Sequence, residues 1–246
     1  AVESAKKREE SLHFDKSFSS GNRIPLGLDN FRQTIYWNLD NPSTPHMLVY
    51  GATGSGKSVF LRSTIEYCKL AGISKIIVFD PKFEFVHEFK NQGIEVYSSI
   101  EDIELEMGIL VEEMNNLVKS GQHRKTLVVF DEFADAVANS RTGNDLKNYS
   151  MEMVGSYKNG APKMQKVCTS VDKSLEENLR ILLQKGRSCG FRIITATQRA
   201  SAKIITGDAK VNFPVQVCFR VPKEVDSKVV IDESGAESLQ GKGDGL

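Results

Sequence analysis

The sequence is poor in several features that announce a function at once. It has four cysteines, Cys68, Cys168, Cys189 and Cys218, widely spaced and without a CxxC pair. Neither a disulfide framework nor a cysteine-bound zinc is indicated. The four histidines are scattered and match no zinc spacing. No apolar run approaches the roughly 18 residues of a membrane span, and nothing reads as a secretory signal. A reducing, cytoplasmic setting is the expectation. Neither sign of charge is in excess, with 32 Lys and Arg against 32 Asp and Glu. A polyanionic partner must therefore meet a local basic surface rather than a basic protein. The chain starts on Ala1 and stops on "GKGDGL"; both ends read as cut, so a piece of a longer protein is expected.

What is present is an alternation of strands and helices. Hydrophobic residues make up 40% of the chain, enough for a sizeable core. "MLVY", "KIIVFD", "TLVVFD", "RIITAT" and "VQVCFRV" are apolar strands, and "IEVY" is a short one. "KSVFLRSTIEYCKLAG" reads as a helix closed by Gly72. Ile103, Met107, Leu110, Met114 and Leu117 recur at helical spacing before Gly121, as do Leu175, Leu179, Leu182 and Leu183. Continuous apolar strands joined by helices predict an α/β fold with a mainly parallel central sheet covered on both faces. Ahead of it, "IPLGL" and the alternating Ile35, Trp37 and Leu39 predict a small β-hairpin. A charged segment (1–23) therefore precedes one domain (24–246). Residues at about 140–173 break the rhythm. This Asn-, Ser-, Gly- and Lys-rich insertion carries Arg141, Lys147, Lys158, Lys163, Lys166 and Lys173 against Asp145, Glu152 and Asp172. Loops of that length are uncommon unless functional or disordered.

Gly51–Ser58, "GATGSGKS", matches GxxxxGK[ST] between a strand and a helix. Its glycines allow successive backbone N–H groups to turn around an anion, and the helix start faces the same anion. Gly51, Ala52, Thr53, Gly54, Ser55, Gly56, Lys57, Ser58 and Val59 are thus the candidate nucleotide-binding residues. Lys57 would reach the β- and γ-phosphates, and Ser58 would ligate Mg²⁺. Two strands end in an aspartate, at Asp80 and Asp131. Hydrolysis needs one carboxylate for the metal and a second to polarise water. Only Asp131, followed by Glu132, supplies both. Asp131 is assigned to Mg²⁺ and Glu132 to water activation, while Asp80 reads equally as a site neighbour or a turn residue. Gln198 stands just past "RIITAT", where an amide could sense the γ-phosphate or could be an ordinary strand-end polar residue. Arg187 precedes the same strand, at the sheet's amino edge, about 20 Å from the phosphates at about 3.3 Å per residue. It can serve a neighbour's nucleotide as an arginine finger or simply complement a helix dipole.

"PHMLVYGATGSGKSVFLRS", "VFDPKFEF", "LVVFDEFAD", "LLQKGRSCGFRIITATQRAS", "ITGDAKVNFP" and "VDSKVVIDESGAESLQGKGD" together resemble the motor domain of the FtsK/SpoIIIE DNA translocases. The resemblance covers residues 24–246 apart from the insertion. It implies a RecA-like P-loop NTPase fold with "RIITAT" between the P-loop strand and "LVVFD". It implies ATP and Mg²⁺ as cofactors and a homo-hexameric ring that threads double-stranded DNA, with Arg187 acting in trans. The implied role is chromosome segregation at cell division, and an inner-membrane tether would lie in regions outside this chain. Related motors for conjugative DNA transfer or protein secretion are the alternative. The chain departs from the family pattern at Ala200, where a proline is usual. It departs again at Glu224, where a lysine is frequent; Lys223 stands one residue earlier. For a translocase, DNA contacts should fall mainly on phosphates. Lys163, Lys166, Lys203 and Lys210 are the candidates.

Overall fold

The described chain opens with an antiparallel hairpin, β1 (Arg23–Leu28) and β2 (Thr34–Asn38). Asp29 Oδ1 shapes the turn by accepting from the N–H groups of Phe31 and Gln33, both at 2.8 Å. Trp37 and Leu39 are buried, as their alternation predicts, and Trp37 Nε1 donates to the Thr44 carbonyl at 2.7 Å. Ile35 is exposed instead, together with Leu28 and Phe31. Only the open end of the hairpin reaches the core, and its turn end stands in water. The computed structural model describes residue 17 and residues 21–89, 92–140, 146–156, 162–199 and 210–246. The charged opening (residues 1–16), Arg141, Asp145, Lys158, Ala200 and Lys203 lie outside the described residues.

The elements that follow are β3 (His46–Tyr50), α1 (Lys57–Leu70), β4 (Lys75–Phe79), α2 (Val86–Phe89), β5 (Glu95–Tyr97) and α3 (Ile100–Ser120). Next come β6 (Thr126–Phe130), α4 (Phe133–Asn139), β7 (Leu146–Ser156), β8 (Pro162–Asp172), α5 (Leu175–Lys185), β9 (Phe191–Thr197), β10 (Val215–Cys218) and α6 (Glu224–Ile231). Six strands form one sheet in the order β10-β3-β9-β6-β4-β5, with every pairing parallel. β9 therefore lies between the P-loop strand β3 and the Asp131 strand β6.

Both faces of this sheet are covered at its centre, which explains why β3, β4 and β6 carry unbroken apolar runs rather than an apolar residue at every second position. Met47 and Val49 pack on the α1 side with Leu61, Ile65, Cys68 and the hairpin's Trp37. Leu48 and Tyr50 pack on the other side with Ile103, Met107, Leu110 and Met114 of α3 and Leu175, Leu179 and Leu182 of α5. Each fully buried Leu, Ile or Phe contributes about 1.5–3 kcal/mol. The helix ends follow local chemistry. Ser99 Oγ accepts from the Asp102 N–H at 3.1 Å, and Gly121 closes α3 at φ 65°. Ser174 Oγ accepts from the Glu177 N–H at the start of α5.

The segment between α4 and α5 is not an irregular loop. β7 and β8 pair antiparallel as a separate two-stranded ribbon, with register shifts at Asn148/Tyr149 and Met153/Gly155. A ribbon outside the main sheet needs no continuous apolar stripe, so its composition reads as loop.

Candidate nucleotide site

The loop Gly51–Gly56 joins the carboxyl end of β3 to α1. Two of its glycines are demanded by crowding. A Cβ on Gly51 would stand 2.5 Å from Ser55 Oγ and 2.8 Å from Phe219 Cβ. Gly56 adopts φ 111°, and a Cβ there would meet the Gly243 nitrogen at 2.5 Å. The loop is anchored by its neighbours. The Ala52 N–H donates to the Arg220 carbonyl at 3.0 Å, and the Gly243 N–H donates to the Ser55 carbonyl at 2.7 Å. The C-terminal stretch thus lies against the loop. Leu246 is tied to Cys218, the last residue of β10, by two backbone hydrogen bonds of 2.9 Å. The sequence contains no signal that this tail returns to the P-loop.

Lys57 opens α1 and is buried beneath the loop. Its ammonium is paired with Asp131 Oδ1 and lies 2.9 Å from Glu132 Oε1. Both carboxylates are fully buried at the end of β6. Burial by itself would lower the Lys57 pKa, but the charges of Asp131 and Glu132 outweigh it and hold the ammonium above its ordinary range. Burial pushes the Asp131 carboxyl up against the opposing pull of Lys57. Glu132 sits in the left-handed region at φ 50°, where β6 breaks into α4. A non-glycine residue in that region is uncommon and is over-represented at functional sites.

Gln198 closes the arrangement from β9. Its N–H donates to Glu132 Oε2 at 3.2 Å, and its side-chain oxygen accepts from Thr53 Oγ1 at 2.7 Å. One residue therefore joins the P-loop, through its side chain, to the carboxylate proposed to act on water, through its backbone N–H. Lys82 Nζ lies 3.5 Å from Glu132 Oε2 and 3.3 Å from Asp135 Oδ2. Arg199 also reaches Asp135, at 3.1 Å. Sequence reasoning passes over Lys82. Its only signal is a charged residue just past a strand's carboxyl end, at the edge where α/β sites form.

Asp80 proves to be a structural cap. Its carboxylate accepts from the N–H groups of Glu84, Phe85 and Val86 at 2.9, 2.7 and 3.2 Å. Ser58 is half-buried, and its hydroxyl donates to Glu84 Oε2 at 2.7 Å. Val59 is exposed on the first turn of α1.

A magnesium ion fits this donor set. Asp131 is fully buried, and its Oδ2 has no hydrogen-bond partner. Among the described residues no group of three or more His, Cys, Asp or Glu could hold a metal. A hydroxyl and a carboxylate suit an ion that otherwise relies on phosphate and water oxygens.

Arg187 is exposed in the 3-10 turn Gly186–Cys189 that leads into β9, and its Nη1 donates to the Pro42 carbonyl at 3.3 Å. It stands at the opposite edge of the sheet from Gln198, so the structure does not bring it to this chain's own P-loop. Lys210 is largely buried and paired with Asp232 at 2.7 Å, which occupies its charge within the fold. Lys163 and Lys166 lie on β8, but their side chains are outside the described residues, and Lys203 is outside them altogether. Glu224, at the first position of α6, is paired with Lys228 at 2.6 Å. No helix among the described residues is long and apolar enough to cross a membrane.

The family described as the central domain of the helicase HerA (DUF87) matches residues 24–206. The DNA translocase SftA of Bacillus subtilis is 31% identical over 227 residues, covering 90% of this chain and 23% of that protein. The DNA translocase FtsK of Chlorobaculum tepidum is 30% identical over 215 residues, covering 84% and 26% respectively. The chain thus spans about a quarter of the length of the curated relatives it matches. Among solved structures, the pCW3 conjugation coupling protein TcpA with ATPγS has a TM-score of 0.68 at 24% identity, covering 93% of this chain and 63% of that one. The cytoplasmic domain of the type VII secretion ATPase EccC of Thermomonospora curvata has a TM-score of 0.66 at 18% identity, covering 90% and 26%. At these identities the two structures establish a shared fold.

Proposed function

The chain belongs to the family of the helicase HerA central domain, and on that premise we propose that it is an ATP-hydrolysing motor that moves double-stranded DNA. The carrying observation is the convergence of Lys57, Asp131, Glu132 and Gln198 at the carboxyl edge of three adjacent parallel strands. Lys57 holds the β- and γ-phosphates. The ammonium now shared between two buried carboxylates turns to the nucleotide when one enters, which frees Glu132 to accept a proton from water. Gln198 meets Thr53 with its side chain and Glu132 with its backbone N–H, so a change on the phosphate side reaches the carboxylate through one residue. Ser58 and Asp131 would hold Mg²⁺, which supplies charge neutralisation on the phosphates when bound.

The DNA part of the reading is supported by relatives named as DNA translocases that align over most of this chain. The ring is supported by the position of Arg187. It is exposed, distant from its own P-loop, and therefore available to the nucleotide of an adjoining copy. We propose a homo-hexamer working in the cytoplasm, with the β7–β8 ribbon, carrying Lys163 and Lys166, and the segment around Lys203 meeting DNA phosphates. Lys210 takes part only if its pair with Asp232 opens. Chromosome segregation at cell division is the process such a motor would serve. The test is the steady-state ATPase rate with and without long duplex DNA, over protein concentrations that span assembly. Strong stimulation by DNA is expected. ATP turnover indifferent to DNA would remove the DNA motor and leave an ATPase with another substrate.

A further inference from the structure

The nucleotide site carries a carboxylate that neither the P-loop pattern nor the Asp131–Glu132 pair includes. Glu84 stands in the turn after β4, and its backbone is fixed from several sides. Its N–H donates to Asp80 Oδ1 at 2.9 Å, and its carbonyl accepts from Arg62 Nη2 at 3.0 Å. Phe85, the next residue, is fully buried and donates its N–H to Asp80 Oδ2. Arg62 is in turn held by Glu88 at 2.6 Å and lies over the Phe85 ring at 5.1 Å. Phe83, just before, turns the chain at φ 60°. Besides capping the start of α2, this frame presents the Glu84 carboxylate to α1, where Glu84 Oε2 accepts the hydroxyl proton of Ser58 at 2.7 Å.

We propose that Glu84 is a positioning residue for the metal end of the site, fixing the Ser58 hydroxyl through its proton and adding negative charge beside Asp131. The inference rests on the ATPase reading above. Two physical effects follow. A hydroxyl that gives its proton to a carboxylate keeps its oxygen lone pairs for a cation and has them aimed, as outer partners of metal ligands do. The added charge also draws cations and repels polyphosphate. Asp131 Oδ2, buried without a partner, faces the same requirement for a cation. The site should therefore favour nucleotide with metal and disfavour nucleotide without it.

These effects give opposite signs in two binding measurements, which loss of structure cannot do. Mn²⁺ binding would be followed by electron paramagnetic resonance with a non-hydrolysable ATP analogue on the full chain. Binding of the same analogue in EDTA would be measured in parallel. Glu84→Ala should weaken Mn²⁺ binding about 10-fold or more while tightening metal-free binding. Glu84→Gln keeps an acceptor oxygen without the charge. It should tighten metal-free binding equally, with a smaller Mn²⁺ loss. Unchanged Mn²⁺ affinity in Glu84→Ala, or a fall in both affinities together, overturns the inference while the ATPase reading stands. Failure of the wild-type chain to bind the analogue at all overturns that reading and this inference with it.

Discussion

Lys57 is an ammonium held away from water between Asp131 and Glu132. Removing one member of a buried ionic group leaves the others uncompensated, at a typical cost of about 3–5 kcal/mol. Lys57→Ala should therefore lose stability of that order at pH 7, besides losing nucleotide. The deficit should narrow at pH 5, because burial already pushes the Asp131 carboxyl up and a proton relieves the repulsion. Urea unfolding at the two pH values checks this, and a deficit independent of pH would contradict it. Glu132→Gln keeps shape and removes the base. Its kcat should fall about 10²- to 10⁴-fold with nucleotide binding retained, as single-turnover kinetics would show. His46 gives a separate pH signature. Its ring is buried between the Leu183 carbonyl and the Ile193 N–H, and burial pulls its pKa down to about 3. The unfolded chain then takes up a proton first as pH falls. The His46 contribution is complete above about pH 6.5 and is withdrawn toward pH 3, at roughly 1 kcal/mol per unit. His46→Gln should flatten the slope of stability against pH between 7 and 5 by about that amount.

At the scale of elements, the C-terminal stretch and the ribbon carry different expectations. Gly56 combines φ 111° with an approach to Gly243 that leaves no room for a Cβ. Gly56→Ala should displace the tail and destabilise the fold by more than about 1 kcal/mol, which thermal unfolding would register. Ending the chain at Gln240 removes the same contacts and should weaken nucleotide binding with the other P-loop residues intact. The ribbon pairs only within itself and stands apart from the main sheet. Replacing 146–172 by a short linker should spare ATP turnover without DNA and reduce its stimulation by DNA. A loss of basal turnover would instead show that the ribbon supports the motor core.

At the scale of the whole molecule, the separation of Arg187 from the P-loop decides whether one copy suffices. Seven residues of β9 lie between its turn and Gln198, about 20 Å at 3.3 Å per residue. Hydrolysis should therefore rise with protein concentration more steeply than in proportion. Arg187→Ala should lower kcat by about 10³-fold or more in the assembled state. Equal specific activity in dilute, single-copy protein would remove the trans arginine and the ring with it.

The chain's local chemistry is legible without a structure. The continuous apolar runs in β3, β4, β6 and β9 state that the sheet has two covered faces. Gly72 and Gly121 state where helices end, and "GATGSGKS" states that a strand gives way to an anion cradle. All of these depend on residues a few positions apart, whose spacing fixes backbone geometry and side-chain direction. The rest depends on residues far apart in sequence. Ser58 meets Glu84, and Gly56 meets Gly243, because the sheet order brings those segments together. Contacts of that kind are selected by how the whole core packs, and no local spacing encodes them.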